Sequence, residues 1–204
     1  REYLLALIMF VWGGALVQAE NLFDAVLAKA GDNRVELEAF ITTAKNEHGE
    51  FGHRAAVFLV EGMSDLDLKQ LRSEFLNENL DLAIRAREEF SWCAKLTEEL
   101  FFNDVLPYAS LDETRERWRP DFYKKCRKLV AKASTSTEAV QALNSKLFNL
   151  INVHYNTGRK KPNQSPAESI VQSRATCTGL SIILVDACRS VGVAARVVGT
   201  PLWT

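Results

Sequence analysis

Apolar residues recur at helical spacing through most of residues 20–155. Residues 35–44 and 54–60 are typical of helices, and Gly49 and Gly52 lie between them. A later apolar stripe steps by three, four, three and one residues, which is the spacing of one helix face. That stripe consists of Val140, Leu143, Leu147, Leu150 and Ile151. The pattern therefore predicts an α-helical region.

Capping residues and prolines predict where several of these helices begin and end. Ser64 and Ser136 precede apolar-periodic segments, and a serine hydroxyl there accepts a free backbone N–H. Pro107 follows the segment with Leu100 and Phe101 and should end its helix. Pro120 falls early in the next one, where its missing N–H matters least. We expect Trp92, Trp118, Phe101 and Phe102 to be core residues.

The pattern changes after a polar, proline-containing connector at residues 158–166. The next segment predicts a helix with one broad apolar stripe. Gly192 follows as the left-handed residue expected past a helix end. Residues 193–198 are rich in β-branched side chains and predict a strand. The apolar stripe of the predicted helix before Gly192 consists of Leu180, Ile183, Leu184, Ala187, Cys188 and Val191.

The first nineteen residues have a different character. Residues 3–12 form a nearly unbroken apolar run, and small residues lead to Ala19. A short apolar run followed by small residues is typical of a secretory signal, here cut after Ala19. A buried first helix or an uncleaved anchor is the alternative. We therefore expect an exported protein, periplasmic or secreted, that meets a membrane only through this segment.

Composition narrows the function classes. The chain has 204 residues, 25 Lys+Arg against 26 Asp+Glu, and a net charge of -1. A hydrophobic share of 47% is typical of a folded protein rather than a disordered one. The balanced charge gives no support for a nucleic-acid partner. The basic stretch at residues 115–128 is interpreted as a solvated helix face.

The four cysteines are Cys93, Cys126, Cys177 and Cys188. They lie outside any zinc-ligand spacing, so the sequence indicates no metal and no cofactor. Cys177 and Cys188 are eleven residues apart, which is about 16 Å along one helix and too far for a disulfide. A disulfide between Cys93 and Cys126 remains open.

Cys177 is the candidate nucleophile. It falls in the first turn of the predicted helix, where N–H groups lack partners and the helix dipole is positive. Both effects stabilise a thiolate, and the same amides can hold an oxyanion. Gly179 allows a close approach of backbone or substrate. The local alternative is that Cys177 is simply a small buried apolar residue.

The motif around Cys177 resembles the core of the transglutaminase-like superfamily, which shares the papain-like architecture. In the first motif of this family a cysteine opens a helix, and residues 175–181 match that motif. A second motif follows the helix, and in this sequence Ala194 replaces its usual proline. The likeness covers residues 162–203, and the preceding helical segment is more weakly similar to exported bacterial members. The second motif, R-x-x-G-I-P-A-R-x-V-x-G, is matched by Arg189, Gly192, Ala195, Arg196 and Val198, with Val193 in place of the isoleucine and Gly199 one position before the last glycine of the motif.

The resemblance implies acyl transfer through a Cys–His–Asp triad in that chain order. The family's histidine and aspartate follow the strand after the nucleophile helix, whereas His154 is the last histidine of this sequence. We therefore interpret the sequence as part of a longer chain. Gln172, five residues before Cys177, is a candidate oxyanion donor, since papain-like enzymes use a glutamine upstream of the cysteine. Gln164 lies thirteen residues before.

Together these features predict an α+β fold in three parts. Residues 1–19 are a signal peptide, residues 20–155 an α-helical domain, and residues 156–204 the start of a transglutaminase-like domain with loop, nucleophile helix and first strand. The expected function is thiol acyl transfer or hydrolysis on a peptide or carboxamide bond of a protein or peptide substrate. The alternative is a non-catalytic scaffold or partner-binding protein. The oligomeric state stays open.

Overall fold

A computed structural model describes residues 23–199. The predicted signal peptide lies outside these residues. The described chain is mostly helical with a small parallel sheet, which confirms the α+β prediction at the level of secondary structure. Residues 23–29 are helix α1, and a 3₁₀ turn follows at Gly31–Asn33. The later elements are α2 (Arg34–Glu61), α3 (Asp65–Gln70), α4 (Ser73–Glu89), α5 (Ser91–Ala94), α6 (Glu98–Asp104), α7 (Trp118–Leu129), α8 (Ser136–Leu150), β1 (His154–Tyr155), α9 (Pro166–Gln172), β2 (Arg174–Ala175) and α10 (Cys177–Ser190).

The described residues form two compact units, which divide between Asn77 and Glu78. This division is not at the predicted domain boundary after residue 155, and that boundary stays a prediction. Within the described part, no helix is both long enough and apolar enough to cross a membrane.

The first unit is organised around the long helix α2. Gly49 has φ 62° and ψ −150°, so the helix is broken there as the sequence predicted. Only glycine adopts this conformation readily. The buried amide of Asn33 donates to the carbonyls of Leu68 (2.9 Å) and Leu71 (2.8 Å), which holds the end of α3 against the start of α2. Ser64 caps α3 by accepting from Asp67 N–H, as predicted.

The second unit is organised around α10, which packs against α7, α8, α9 and β2. Its second half is buried on nearly every side, including Asp186, Arg189 and Ser190. Gly192 then adopts φ 70°, which confirms the predicted left-handed helix end. A Cβ at this position would lie 2.5 Å from Cβ of Cys93, so a larger residue would not fit.

The predicted aromatic core is confirmed for three of its four members. Phe101, Phe102 and Trp118 are buried, and Trp92 is half-buried. Both indoles donate to backbone carbonyls, Trp118 to Tyr108 (2.7 Å) and Trp92 to Val191 (2.9 Å). The indole N–H of each tryptophan is therefore hydrogen-bonded.

Two sequence predictions need correction. Residues 193–198 form no strand, although their side chains favour one. A strand needs a hydrogen-bonded neighbour, and here the N–H of Ala195 donates to the carbonyl of Asp104 (2.9 Å). The cap of α8 is Thr135 rather than Ser136, because the Thr135 hydroxyl accepts from Glu138 N–H.

The stretch at residues 115–128 is also not wholly a solvated face, because Arg119 is buried. Its guanidinium donates to the side chain of Asn79 (2.7 Å) and to four backbone carbonyls. Burial lowers the pKa of Arg119 to about 9, so the side chain is still charged at neutral pH. The four carbonyls belong to Val105, Leu106, Pro107 and Arg189.

We expect Arg119→Ala to lower the free energy of unfolding by about 3 kcal/mol or more. The substitution leaves buried carbonyls without a donor, and each unsatisfied polar group costs about 1–3 kcal/mol. Urea unfolding followed by circular dichroism measures the change. Arg117→Ala is the matched control. Arg117 is an exposed partner of Glu78, and such a surface pair contributes about 1 kcal/mol or less. Equal losses in the two variants would contradict the role of Arg119.

Candidate functional site

Cys177 is the first residue of α10, and its side chain is exposed. The prediction that it occupies the first turn of a helix is therefore confirmed. Thr176 precedes it with extended backbone (φ −86°, ψ −177°), and its side chain does not cap the helix. The hydroxyl instead accepts from a guanidinium N–H of Arg159. The first-turn amides beside the exposed sulfur are therefore not capped by the Thr176 side chain.

The segment leading into Cys177 is held by a parallel pair of short strands. His154 is in register with Arg174, and Tyr155 with Ala175. The pairing continues one residue further, where Asn156 N–H donates to the Ala175 carbonyl at 2.9 Å. The chain just ahead of Cys177 is therefore fixed on one side by β1.

Gln164 supports the same segment from inside. It is 1% exposed, and its amide donates to the Arg174 carbonyl (3.1 Å) and to the Ser169 hydroxyl (3.3 Å). Its carbonyl oxygen has no hydrogen-bond partner among the described residues. Spacing in the sequence does not predict the contact between Gln164 and residue 174, because spacing does not show the turn that brings these residues together.

Gln172 lies at the end of α9, and its amide donates to the Glu168 carbonyl of the same helix at 3.0 Å. In this arrangement the amide is engaged within α9. The oxyanion role of Gln172 stays a prediction. Ser173 follows in a left-handed conformation (φ 52°), which reverses the chain from α9 into β2.

Gly179 brings α10 close to β2. A Cβ at this position would lie 2.9 Å from the Ala175 Cβ and 3.6 Å from the Ser169 hydroxyl. Real Cβ atoms do not approach one another this closely. The absence of a side chain at residue 179 therefore sets how near the first turn of α10 lies to the strand that precedes it.

The other three cysteines differ from Cys177 in their surroundings. Cys93, Cys126 and Cys188 are buried free thiols, so the disulfide left open between Cys93 and Cys126 is not formed in the structure. Burial raises the pKa of each of these three thiols to about 12. The buried thiols are therefore uncharged at neutral pH and unsuited to nucleophilic chemistry.

An exposed cysteine at the start of a buried helix, followed by Gly192 in the left-handed conformation, is the arrangement that the sequence motif predicted. Residues 123–204 match the transglutaminase-like superfamily. The match begins within α7 and includes α8, both strands, α9 and α10. It thus extends upstream of the predicted likeness at residues 162–203. Neither the curated proteins nor the solved structures contain a match to this chain.

The transglutaminase-like match includes Cys177 but does not by itself assign a base to it. His154 is exposed on β1, and its backbone N–H donates to the Ser173 carbonyl at 3.3 Å. Within residues 23–199, no hydrogen bond joins an imidazole to the Cys177 sulfur. The nucleophile role of Cys177 stays a prediction.

We expect Gly179→Ala to destabilise the protein by about 1 kcal/mol. The clash with Ala175 should cost roughly 1–3 kcal/mol, because a Cβ on a short strand cannot rotate away. Alanine regains at most about 1 kcal/mol through its helix propensity. Urea unfolding measures the net loss. Gly199→Ala is the control, because a Cβ there meets no atom within 4 Å. A gain in stability for Gly179→Ala would contradict the tight α10–β2 contact.

Proposed function

We propose that the protein is a thiol acyltransferase or hydrolase that uses Cys177 as its nucleophile on peptide or carboxamide bonds. One observation carries the proposal. Cys177 is the exposed first residue of a mostly buried helix and lies within the stretch that matches the transglutaminase-like superfamily. This superfamily consists of cysteine-dependent acyltransferases and proteases.

The proposed reaction has two steps. The Cys177 thiolate attacks the carbonyl carbon, an S–C bond forms, and the C–N bond breaks with release of an amine that takes up a proton. Water or a second amine then attacks the thioester and restores the thiol. Uncapped first-turn amides of α10 are suited to stabilise the oxyanion that forms beside the sulfur.

Two further roles complete this chemistry in the transglutaminase-like pattern. A histidine takes the thiol proton and returns it to the leaving amine, and an aspartate orients that histidine. We assign neither role to a residue of the described chain. Whether water or an amine accepts the acyl group depends on the access of each to the thioester, so hydrolysis and cross-linking are both included in the proposal.

We expect iodoacetamide to alkylate Cys177 in the native protein at pH 7 faster than it alkylates the same cysteine in the urea-unfolded chain. The first turn of α10 presents backbone N–H groups and the positive end of the helix dipole beside the sulfur only when the protein is folded. Mass spectrometry of the proteolytic peptides measures each cysteine separately. The buried Cys93, Cys126 and Cys188 are internal controls, since they should react only after unfolding.

A native rate no higher than the unfolded rate would contradict the nucleophile. It would favour the non-catalytic scaffold instead. Cys177→Ser should abolish labelling in the native protein without lowering its unfolding midpoint, because the residue is exposed. A loss of stability in this variant would indicate that Cys177 has a structural role.

We propose further that the protein is exported. The support is the apolar run at residues 3–12 with small residues up to Ala19. We expect the mature protein in its native cells to begin at Glu20, outside the cytoplasm. Cell fractionation with intact-mass analysis measures this. An uncleaved segment, or mature protein confined to the cytoplasm, would contradict export.

A further inference from the structure

Two arginines flank Cys177. Arg159 donates from a guanidinium nitrogen to the hydroxyl of Thr176, the residue next to Cys177. Arg174 lies three residues before Cys177 on β2, and its Nε donates to the Gln172 carbonyl at 3.3 Å. Both arginines are exposed. Two positive charges thus lie at the entry to the helix that carries the proposed nucleophile.

The connector after β1 carries Arg159 past the residues around Arg174. Gly158 N–H donates to the side-chain oxygen of Asn156 at 2.7 Å, which tightens the loop just before Arg159. The loop passes so close to Arg174 that a Cβ at Gly158 would lie 3.3 Å from its Nη1. Residues 156–159 therefore pack against residues 174–176. This packing holds the backbone from which both arginine side chains extend.

Neither arginine has a carboxylate within ion-pair distance in the part of the chain that the structure describes. Other basic side chains of this unit do. Lys161 pairs with Glu168 at 2.8 Å, and Arg196 pairs with Asp104 at 2.7 Å. Glu168 also accepts from Thr114, so the acidic group on α9 is already engaged.

Like charges held near each other without a counter-charge are unfavourable. A ligand that supplies the missing charge removes this cost when it binds. The planar, multi-donor guanidinium matches the geometry of a carboxylate, which accepts two parallel N–H bonds from it. Charge and donor geometry at this position therefore fit a carboxylate.

We propose that Arg159 and Arg174 bind a carboxylate of the acyl donor next to the bond that Cys177 attacks. The protein then acts on acidic peptides, in which the carboxylate is either a glutamate or aspartate side chain or a free C-terminus. This inference rests on the proposed function, since it names the substrate class of the same site.

The test compares two alkylating reagents of nearly equal size. Iodoacetate carries a carboxylate next to the reacting carbon, and iodoacetamide is its neutral counterpart. Both form an S–C bond to Cys177 and release iodide. We expect the iodoacetate-to-iodoacetamide rate ratio in the native protein to exceed that of the urea-unfolded protein by roughly twofold to fivefold, as expected for ion pairs with exposed arginines. The excess should shrink in about 1 M salt, where the screening length is about 3 Å.

The Arg159→Gln/Arg174→Gln double variant should return the ratio to its unfolded value. Lys128→Gln/Lys132→Gln is the matched control, because it removes two positive charges from exposed positions on and just after α7. The control should keep the native ratio. Arg159→Lys/Arg174→Lys retains the charge but not the planar donor arrangement, so its ratio should be intermediate. Circular dichroism melting shows whether each variant is folded.

Two small ligands then separate the sources of the carboxylate. Acetyl-glutamate α-amide carries only a side-chain carboxylate, and acetyl-alanine only a terminal one. Slower iodoacetamide labelling in the presence of either identifies the source and supports the proposal. Protection by neither, or an unchanged ratio in the arginine-to-glutamine variant, overturns it. Fast iodoacetamide labelling with a native ratio equal to the unfolded ratio would reject the inference and leave the proposed function intact, whereas slow iodoacetamide labelling would reject the proposed function itself.

Discussion

The fold of the second unit depends on hydrogen bonds that satisfy the buried polar groups around α10, a helix that is mostly buried. Arg119 donates to the Arg189 carbonyl near the end of α10 and to three successive carbonyls after α6. Asp186 and Arg189 are buried in the same region, and burial raises the pKa of Asp186 well above its usual range. Without these donors the carbonyls would be buried and unpaired. The position of α10, and with it the position of Cys177, follows from this arrangement.

The sequence predicted the parts of the fold that depend on local rules. Helical periodicity located α10, and Gly192 was recognised because a left-handed residue past a helix end is a local requirement. Gly49 broke α2 for the same kind of reason. The strand at residues 193–198 failed because β-branched side chains favour a strand only where a neighbouring strand supplies hydrogen bonds, and the Ala195 amide bonds to Asp104 instead.

The site could be predicted only in part. The place of Cys177 at a helix start follows from local rules and is confirmed, whereas its role as nucleophile stays a prediction. Arg119 was missed because its stretch is rich in charge, and its acceptors come from segments distant in sequence. Proximity in the chain favours Gln172 over Gln164 as the oxyanion donor, and that role of Gln172 stays a prediction. The reversal at Ser173 brings residue 174 back to Gln164, and spacing contains no sign of that reversal.

In the proposed site, the helix α10 and a loop have separate roles. The helix supplies the sulfur and the amides beside it, and its orientation is fixed by packing along its whole length. The connector at residues 156–159 supplies a charge through Arg159 and is held by a few hydrogen bonds at the surface. Loops tolerate substitution better than buried helices. Under the proposed function, specificity could therefore change by substitution in the connector while the chemistry of Cys177 stayed the same.

Because Cys177 is exposed, its thiol is the one of the four cysteine thiols that is most open to oxidation. Oxidants act on accessible thiolates and convert them first to sulfenic acid and then to irreversible acids. The other three thiols are shielded by burial, and none is placed to form a disulfide with Cys177 in the structure. Within the described residues there is thus no resolving cysteine to rescue an oxidised Cys177. Under the proposed function, peroxide would inactivate the protein by modifying this one residue, and an external thiol would be needed to reduce the sulfenic acid.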